Sequence, residues 1–293
     1  MTRRIGSLAE VAGGYRAVFC DLWGCLHDGR RAFPEAVAAL RAFRARGGIV
    51  LLLTNSPRPR PGVIEQVARL GVPDDAWDEV ATSGDAARHA LLTGAVGRRV
   101  HHIGPGKDLP FFTDPMPDLA HEAPVVRVPL EAAEGLAVTG LLDDLTETPE
   151  DYRATLLAAK ARGLPLLCAN PDVEVDYGDR RIFCAGALAQ LYETLGGTSL
   201  YFGKPHPPIY NLARRRLAAL DPGIADDGIL CIGDGIATDI RGGLAEGLDT
   251  LFVTAGLAGA QFGPDTDRPD PALLAAWLAE RQAEPTFAIG RLR

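Results

Sequence analysis

Long hydrophobic runs are missing from this 293-residue chain: nowhere do about 18 apolar residues follow one another, so no helical membrane span is expected. The opening Met1-Thr-Arg-Arg-Ile5 lacks the apolar stretch of a secretory signal, and a cytoplasmic protein is expected. An excess of positive charge is missing too. Thirty Lys and Arg face 38 Asp and Glu, for a net charge of −8. That argues against a nucleic-acid binder held by a basic stripe. Cysteine is sparse. Cys20, Cys25, Cys168, Cys184 and Cys231 form an odd set without C-x-x-C spacing, as expected of buried thiols in a reducing compartment. Lysine is scarcer still, with only Lys107, Lys160 and Lys204, so each lysine invites scrutiny.

What is present is the composition of a globular chain, 47% hydrophobic and 23% charged. The length suits one large domain or two ordinary ones. Short apolar runs alternate with helical stretches, the pattern of βαβ units around a parallel sheet. Strands are expected at 16–20 and 49–53, the second being five apolar residues in a row and hence buried on both faces. Helices are expected at 34–46, at 61–70 and from about Gly84. A second α/β group follows at 136–169, after a poorly patterned segment, 97–135. From 186 the rhythm resumes with strands at 199–203, 228–233 and 249–254, helices at 186–195, 207–219 and 236–246, and a last helix at 271–282. The economical reading is a parallel-sheet core formed by 1–85 and 183–293, interrupted by an inserted α/β domain at 86–182.

In an open parallel sheet, ligands bind at the carboxyl ends of the strands. Asp21 follows the first run, Thr54 and Asn55 the second, Lys204 the run at 199–203, and Asp234 the run at 228–233, with Asp239 five residues on. Each alone reads as a turn residue, a helix cap or a solvated side chain. Together they bring carboxylates, a hydroxyl, an amide and a lysine to one edge. Converging carboxylates suit a hard cation such as Mg²⁺. The lysine and hydroxyl complete a cradle for a phosphoryl group, whose transfer needs positioning and charge neutralisation. A strand-end Asp is also a feasible nucleophile, forming an aspartyl-phosphate.

The order Asp21-Leu-Trp-Gly-Cys-Leu26, Leu53-Thr-Asn55, Gly203-Lys-Pro205 and Gly233-Asp-Gly235 with Asp239 resembles the four motifs of the haloacid dehalogenase superfamily. Cys168-Ala-Asn-Pro-Asp172, Gly186-Ala-Leu-Ala189 and Gly203-Lys-Pro-His-Pro-Pro-Ile-Tyr210 are similar to its NagD-like, 4-nitrophenylphosphatase-like and pyridoxal-phosphatase-like branch. The resemblance implies a Rossmann-like α/β core with an inserted cap of the C2 type. It further implies a Mg²⁺-dependent phosphatase acting on a small phosphorylated metabolite, and leaves open a cap-mediated homodimer. By resemblance Asp21 is nucleophile and metal ligand, Thr54, Asn55 and Lys204 bind the phosphoryl group, and Asp234 and Asp239 serve the metal. Asn170 and Asp172 lie near the return from the cap and either line the cleft or form an Asx-type turn around Pro171.

One residue departs from the pattern. Family phosphatases usually carry Asp-x-Asp in the first motif, where the second Asp exchanges a proton with the leaving group and with water. Here Trp23 stands in its place and can offer a metal only its backbone carbonyl. General acid–base help is worth roughly 10²–10⁴ in rate. His27 and Asp28 are the nearby candidates to supply it. Two alternatives follow from the loss: a phospho-ligand-binding or regulatory protein, or a phosphoryl transferase to an acceptor other than water. Other motifs fail. Gly104-Pro-Gly106 lacks a dinucleotide fingerprint's third glycine, since position 109 is leucine, and Lys107 is followed by Asp108 rather than by the Ser or Thr of a P-loop. His101 and His102 have no partner at metal-ligand spacing.

Overall fold

The structure, a computed structural model, describes residues 2–114, 116, 122–177 and 180–293; part of the poorly patterned 97–135 segment lies outside them. A seven-stranded, fully parallel sheet runs in the spatial order Arg3–Arg4, Phe287–Ile289, Asp249–Val253, Ile229–Gly233, Ala17–Cys20, Ile49–Thr54, Glu79–Thr82. The apolar runs explain its centre. Successive side chains of a strand point to opposite faces, so Val18, Cys20, Val50, Leu52, Leu230 and Ile232 enter one apolar cluster. Ala17, Phe19, Leu51, Leu53, Ile229 and Cys231 enter the other. Helix Pro34–Ala45 packs Val37, Leu40 and Phe43 on the first face, and helix Pro207–Leu220 packs Ile209, Tyr210, Ala213 and Leu217 on the second.

Chain order defines where a ligand belongs. From Ala17–Cys20 the chain adds strands in one direction through Ile49–Thr54 and Glu79–Thr82. After the second sheet it resumes on the other side, at Ile229–Gly233. The switch in strand order therefore lies between Ala17–Cys20 and Ile229–Gly233, where open α/β sheets form their binding crevice.

A second parallel sheet runs Thr198–Tyr201, Pro165–Cys168, Gly135–Val138, Arg99–Ile103, Val126–Arg127, and an antiparallel hairpin joins Glu174–Tyr177 to Arg180–Phe183. Here the structure differs from the sequence reading, which assigns everything after 182 to the first sheet. Thr198–Tyr201 pairs with Pro165–Cys168. Helix Ala185–Thr194 buries Leu188, Ala189 and Tyr192 against Leu166 and Cys168, and the Tyr192 hydroxyl donates to the Leu164 carbonyl at 2.5 Å. An apolar strand pattern cannot tell which of two parallel sheets a strand joins. Among the described residues, no helix is long and apolar enough to cross a membrane.

Candidate active site

The crevice at the switch point gathers the strand-end residues. Asp21 follows Ala17–Cys20, and its backbone N–H donates to the Ile232 carbonyl at 2.8 Å, which ties the two flanking strands together. Lys204 arrives from beyond the edge of the second sheet and is almost fully buried. Its ammonium donates to Asp21 Oδ1 at 2.6 Å, to Asp239 Oδ1 at 2.6 Å and to the Leu53 carbonyl at 3.0 Å. Asn55 fixes the lysine's backbone: its Oδ1 accepts from Lys204 N at 2.7 Å and its Nδ2 donates to the Lys204 carbonyl at 3.1 Å. Thr54 ends its strand with a buried hydroxyl that accepts the Ser56 N–H at 3.2 Å.

Asp234 and Asp239 approach from Ile229–Gly233 and the wide π turn Ile236–Ile240. Asp234 Oδ2 accepts the Leu257 N–H at 2.9 Å, and Asp239 Oδ2 accepts the Gly235 N–H at 3.1 Å. Ligand atoms of Asp21, Asp234 and Cys25 lie within 4.8 Å of one another. Two glycines make room for Asp234. A Cβ on Gly24, which has φ +72°, would stand 2.1 Å from Asp234 Oδ2, and one on Gly256 would stand 1.9 Å from it.

The charges do not balance. Asp21, Asp234 and Asp239 are all buried, and among these carboxylates the Lys204 ammonium bonds Asp21 and Asp239 but not Asp234. Burial and the neighbouring Asp239 push Asp21 up to about 7, against the pull of Lys204. Burial, Asp21 and Asp239 hold Asp234 well above the carboxylate range. Burial works against a charged Lys204, but Asp21, Asp239 and Asp172 more than offset it. Hard oxygen donors with surplus negative charge fit a divalent cation such as Mg²⁺. The Cys25 thiol does not: burial and the nearby carboxylates push it far above the usual thiol range, and a protonated thiol is no ligand for that ion.

Trp23 lies on the loop after Asp21. Its ring packs edge-on against His27, with centroids 5.1 Å apart, and tilts toward Tyr177 of the hairpin at 6.2 Å. His27 and Asp28 are the candidates to stand in for the missing acid. His27 is fully buried, its Nδ1 accepts the Gly29 N–H at 3.1 Å, and Nε2 has no partner among the described residues. Burial lowers it to about 4, so it stays neutral and sealed from the crevice. Asp28 lines the crevice. Burial alone would raise it, but the Arg30 and Arg31 N–H groups, both at 2.9 Å, and the Arg31 guanidinium hold it below its usual value. An ionised capping carboxylate is no proton donor.

Asn170 makes the Asx turn, its Oδ1 accepting the Asp172 N–H at 3.0 Å across Pro171. Asp172 instead reaches the cradle, accepting from Asn55 Nδ2 at 2.8 Å on Oδ1. Burial pushes it up to about 6 against the pull of Lys204 and the Asn55 hydrogen bond. The crevice, about 140 Å³, is lined by Asp21, Trp23, Asp172, Lys204, Asp234 and Asp239. Beyond Trp23 a larger cavity of about 410 Å³ is lined by Arg58, Arg69, Lys107, Asp144 and Tyr177. Sequence reasoning missed Arg58 and Tyr177, since neither ends a strand of the first sheet. A strand-end carboxylate beside a buried lysine, with two further buried carboxylates at the switch point of a parallel sheet, is a layout suited to phosphoryl transfer.

Comparison with known proteins agrees on the family. A family model of haloacid dehalogenase-like hydrolases matches residues 18–114, and a second HAD-hydrolase-like model matches 201–281. A crystal structure of a haloacid dehalogenase-like hydrolase from Brucella suis 1330 is 40% identical, with each chain wholly covered and a TM-score of 0.85. The chain belongs to the haloacid dehalogenase-like hydrolases, with NagD-like and 4-nitrophenylphosphatase-like relatives. The ribonucleotide monophosphatase NagD of Escherichia coli K12 is 26% identical over 82% of this chain and 88% of its own. A glycerol phosphate phosphatase of Mycobacterium tuberculosis in complex with magnesium shares the fold at 23% identity and TM-score 0.66, over 95% of this chain and 76% of that one.

Proposed function

We propose that this protein is a Mg²⁺-dependent phosphatase that hydrolyses a small phosphorylated metabolite through an aspartyl-phosphate on Asp21. The observation that carries the reading is the Lys204 ammonium bonded at 2.6 Å to both Asp21 and Asp239 at the switch point. Asp21 attacks phosphorus, the bond to the leaving oxygen breaks, and water later releases phosphate and regenerates the carboxylate. Thr54, Asn55 and Lys204 receive the transferring oxygens, and Lys204 also orients the nucleophile. Asp21, Asp234, Asp239 and the Trp23 carbonyl would hold Mg²⁺, which supplies charge neutralisation at the phosphoryl group when bound. The NagD relative and the magnesium-bound glycerol phosphate phosphatase support both halves of the reading.

The second sheet with its helices and hairpin is read as the cap. It covers the crevice, excludes water and leaves the cavity beyond Trp23 for the rest of the substrate. That cavity, with Arg58, Lys107 and Tyr177 on its walls, suits a small anionic metabolite. Trapping tests the chemistry. Borohydride quenching during turnover should convert Asp21 to homoserine, read by mass spectrometry of the peptide carrying it. Unmodified Asp21 throughout turnover would contradict an aspartyl-phosphate.

One observation, Trp23 in place of the usual acid, favours a second reading: a phospho-ligand-binding regulatory protein, or a transferase whose aspartyl-phosphate passes to another acceptor. The binding form predicts Mg²⁺-dependent ligand binding without phosphate release.

A further inference from the structure

A phosphatase that lacks the second motif-one aspartate still has to protonate an alkoxide, and Trp23 has no proton to give. Most carboxyl groups around the crevice are otherwise engaged. Asp239 bonds Lys204 and Asp234 sits among the cation donors. Asp28 caps two backbone N–H groups, and Asp176 is paired with Arg181 at 2.8 Å. His27 is sealed beneath Trp23.

Asp172 differs. It lines the crevice beside Asp21 and also a cavity of about 120 Å³ whose walls include Trp23, Arg58, Lys107 and Asp144, residues shared with the larger cavity beyond Trp23, so it stands where the leaving side of a substrate passes toward the cap. It is held from three sides: Asn170 Oδ1 fixes its N–H, the Gly186 N–H donates to its carbonyl at 3.1 Å, and Asn55 Nδ2 bonds its Oδ1. Gly186 permits the approach, because a Cβ there would stand 2.5 Å from the Asp172 carbonyl oxygen. Among the described residues Asp172 forms no ion pair, and Oδ2 makes no hydrogen bond. A rigid carboxyl with one oxygen anchored and the other open to the crevice is placed to exchange protons.

Resting on the phosphatase reading above, we infer that Asp172, supplied by the return from the second sheet, is the general acid and base that replaces the missing motif-one aspartate. In the first step Asp21 bonds to phosphorus, the bond to the leaving oxygen breaks, and the Asp172 carboxyl gives its proton to that oxygen, releasing the alcohol. In the second step water bonds to phosphorus and the Asp172 carboxylate takes its proton. The bond between phosphorus and Asp21 then breaks to release phosphate. Burial of Asp172 favours the neutral form that the first step needs.

The test is Asp172→Asn, which preserves an oxygen for Asn55, assayed against an alkyl phosphate the wild type accepts and against 4-nitrophenyl phosphate. Nitrophenolate leaves without a proton, so the variant should form the aspartyl-phosphate from it quickly and hydrolyse it slowly. A burst of nitrophenol equal to the enzyme concentration is expected, followed by slow turnover. The alkyl phosphate should show no burst and a loss of roughly 10²–10⁴. Equal losses on both substrates without a burst would contradict the inference, as would an unimpaired alkyl phosphate. A wild type inert on 4-nitrophenyl phosphate and on every alkyl phosphate tried would overturn the phosphatase reading, and this inference with it. A wild type that requires Asp21 while Asp172→Asn shows no split would overturn the inference alone.

Discussion

Trp23 sits between two aromatic neighbours and borders the crevice and both cavities leading to the second sheet. On the phosphatase reading its indole is a wall of the substrate passage. Replacing it by the aspartate usual in the family removes that wall and places a charge against His27 and Tyr177. Trp23→Asp is expected to lower kcat/KM on the preferred substrate about tenfold, or about 1.4 kcal/mol, in steady-state kinetics. A gain of activity over an inert wild type would favour the ligand-binding reading. His27 beneath it carries a pH signature. Burial lowers its folded value from 6.5 to about 4. The unfolded chain takes up a proton below about 6.5 while the folded chain refuses it until about 4, so stability present above 6.5 is lost as pH falls through this window. Up to about 3 kcal/mol should disappear, and His27→Asn should lack that part of the slope in urea unfolding compared at pH 7 and pH 4.5.

At the scale of elements, the turn after Ala17–Cys20 decides the site. Gly24 needs φ +72° and has Asp234 against the space where a Cβ would go. Gly24→Ala should cost about 1–2 kcal/mol from the left-handed backbone alone. It should also displace Asp234, so that Mg²⁺ no longer raises the thermal midpoint by the wild-type amount. The central strands and their polar ends are legible in the sequence because buried apolar runs such as Ile49–Leu53 and Ile229–Ile232 stop abruptly at Thr54 and Gly233-Asp234. The edge strand Arg3–Arg4 and its neighbour Phe287–Ile289 are not, being too short to carry a period. Thr198–Tyr201 reads as a strand, but its sheet is decided by packing of the preceding helix on Leu166 and Cys168. The Asn55–Asp172 bond joins residues 117 apart. Only the fold brings them together, which is why Asp172 reads in the sequence as cleft residue or turn with equal reason.

For the whole molecule, three buried carboxylates, two of them paired with Lys204, would make a bound cation part of the folded state's stability on the phosphatase reading. Binding to the native state alone stabilises by about 2.7 kcal/mol at a hundredfold excess over Kd. Mg²⁺ should therefore raise the thermal midpoint of the wild type, and EDTA should reverse the effect. Asp234→Asn should abolish the increment while the apo protein unfolds at an equal or higher temperature, because a carboxyl whose ionised form burial and its acidic neighbours disfavour is gone. The most direct measurement of the account is phosphate release from a panel of phosphorylated metabolites and 4-nitrophenyl phosphate, with Mg²⁺ or EDTA, for wild type and Asp21→Asn. Release that requires both Mg²⁺ and Asp21 is predicted. Release that survives in Asp21→Asn, or no release on any substrate while Mg²⁺-dependent ligand binding persists, would contradict it.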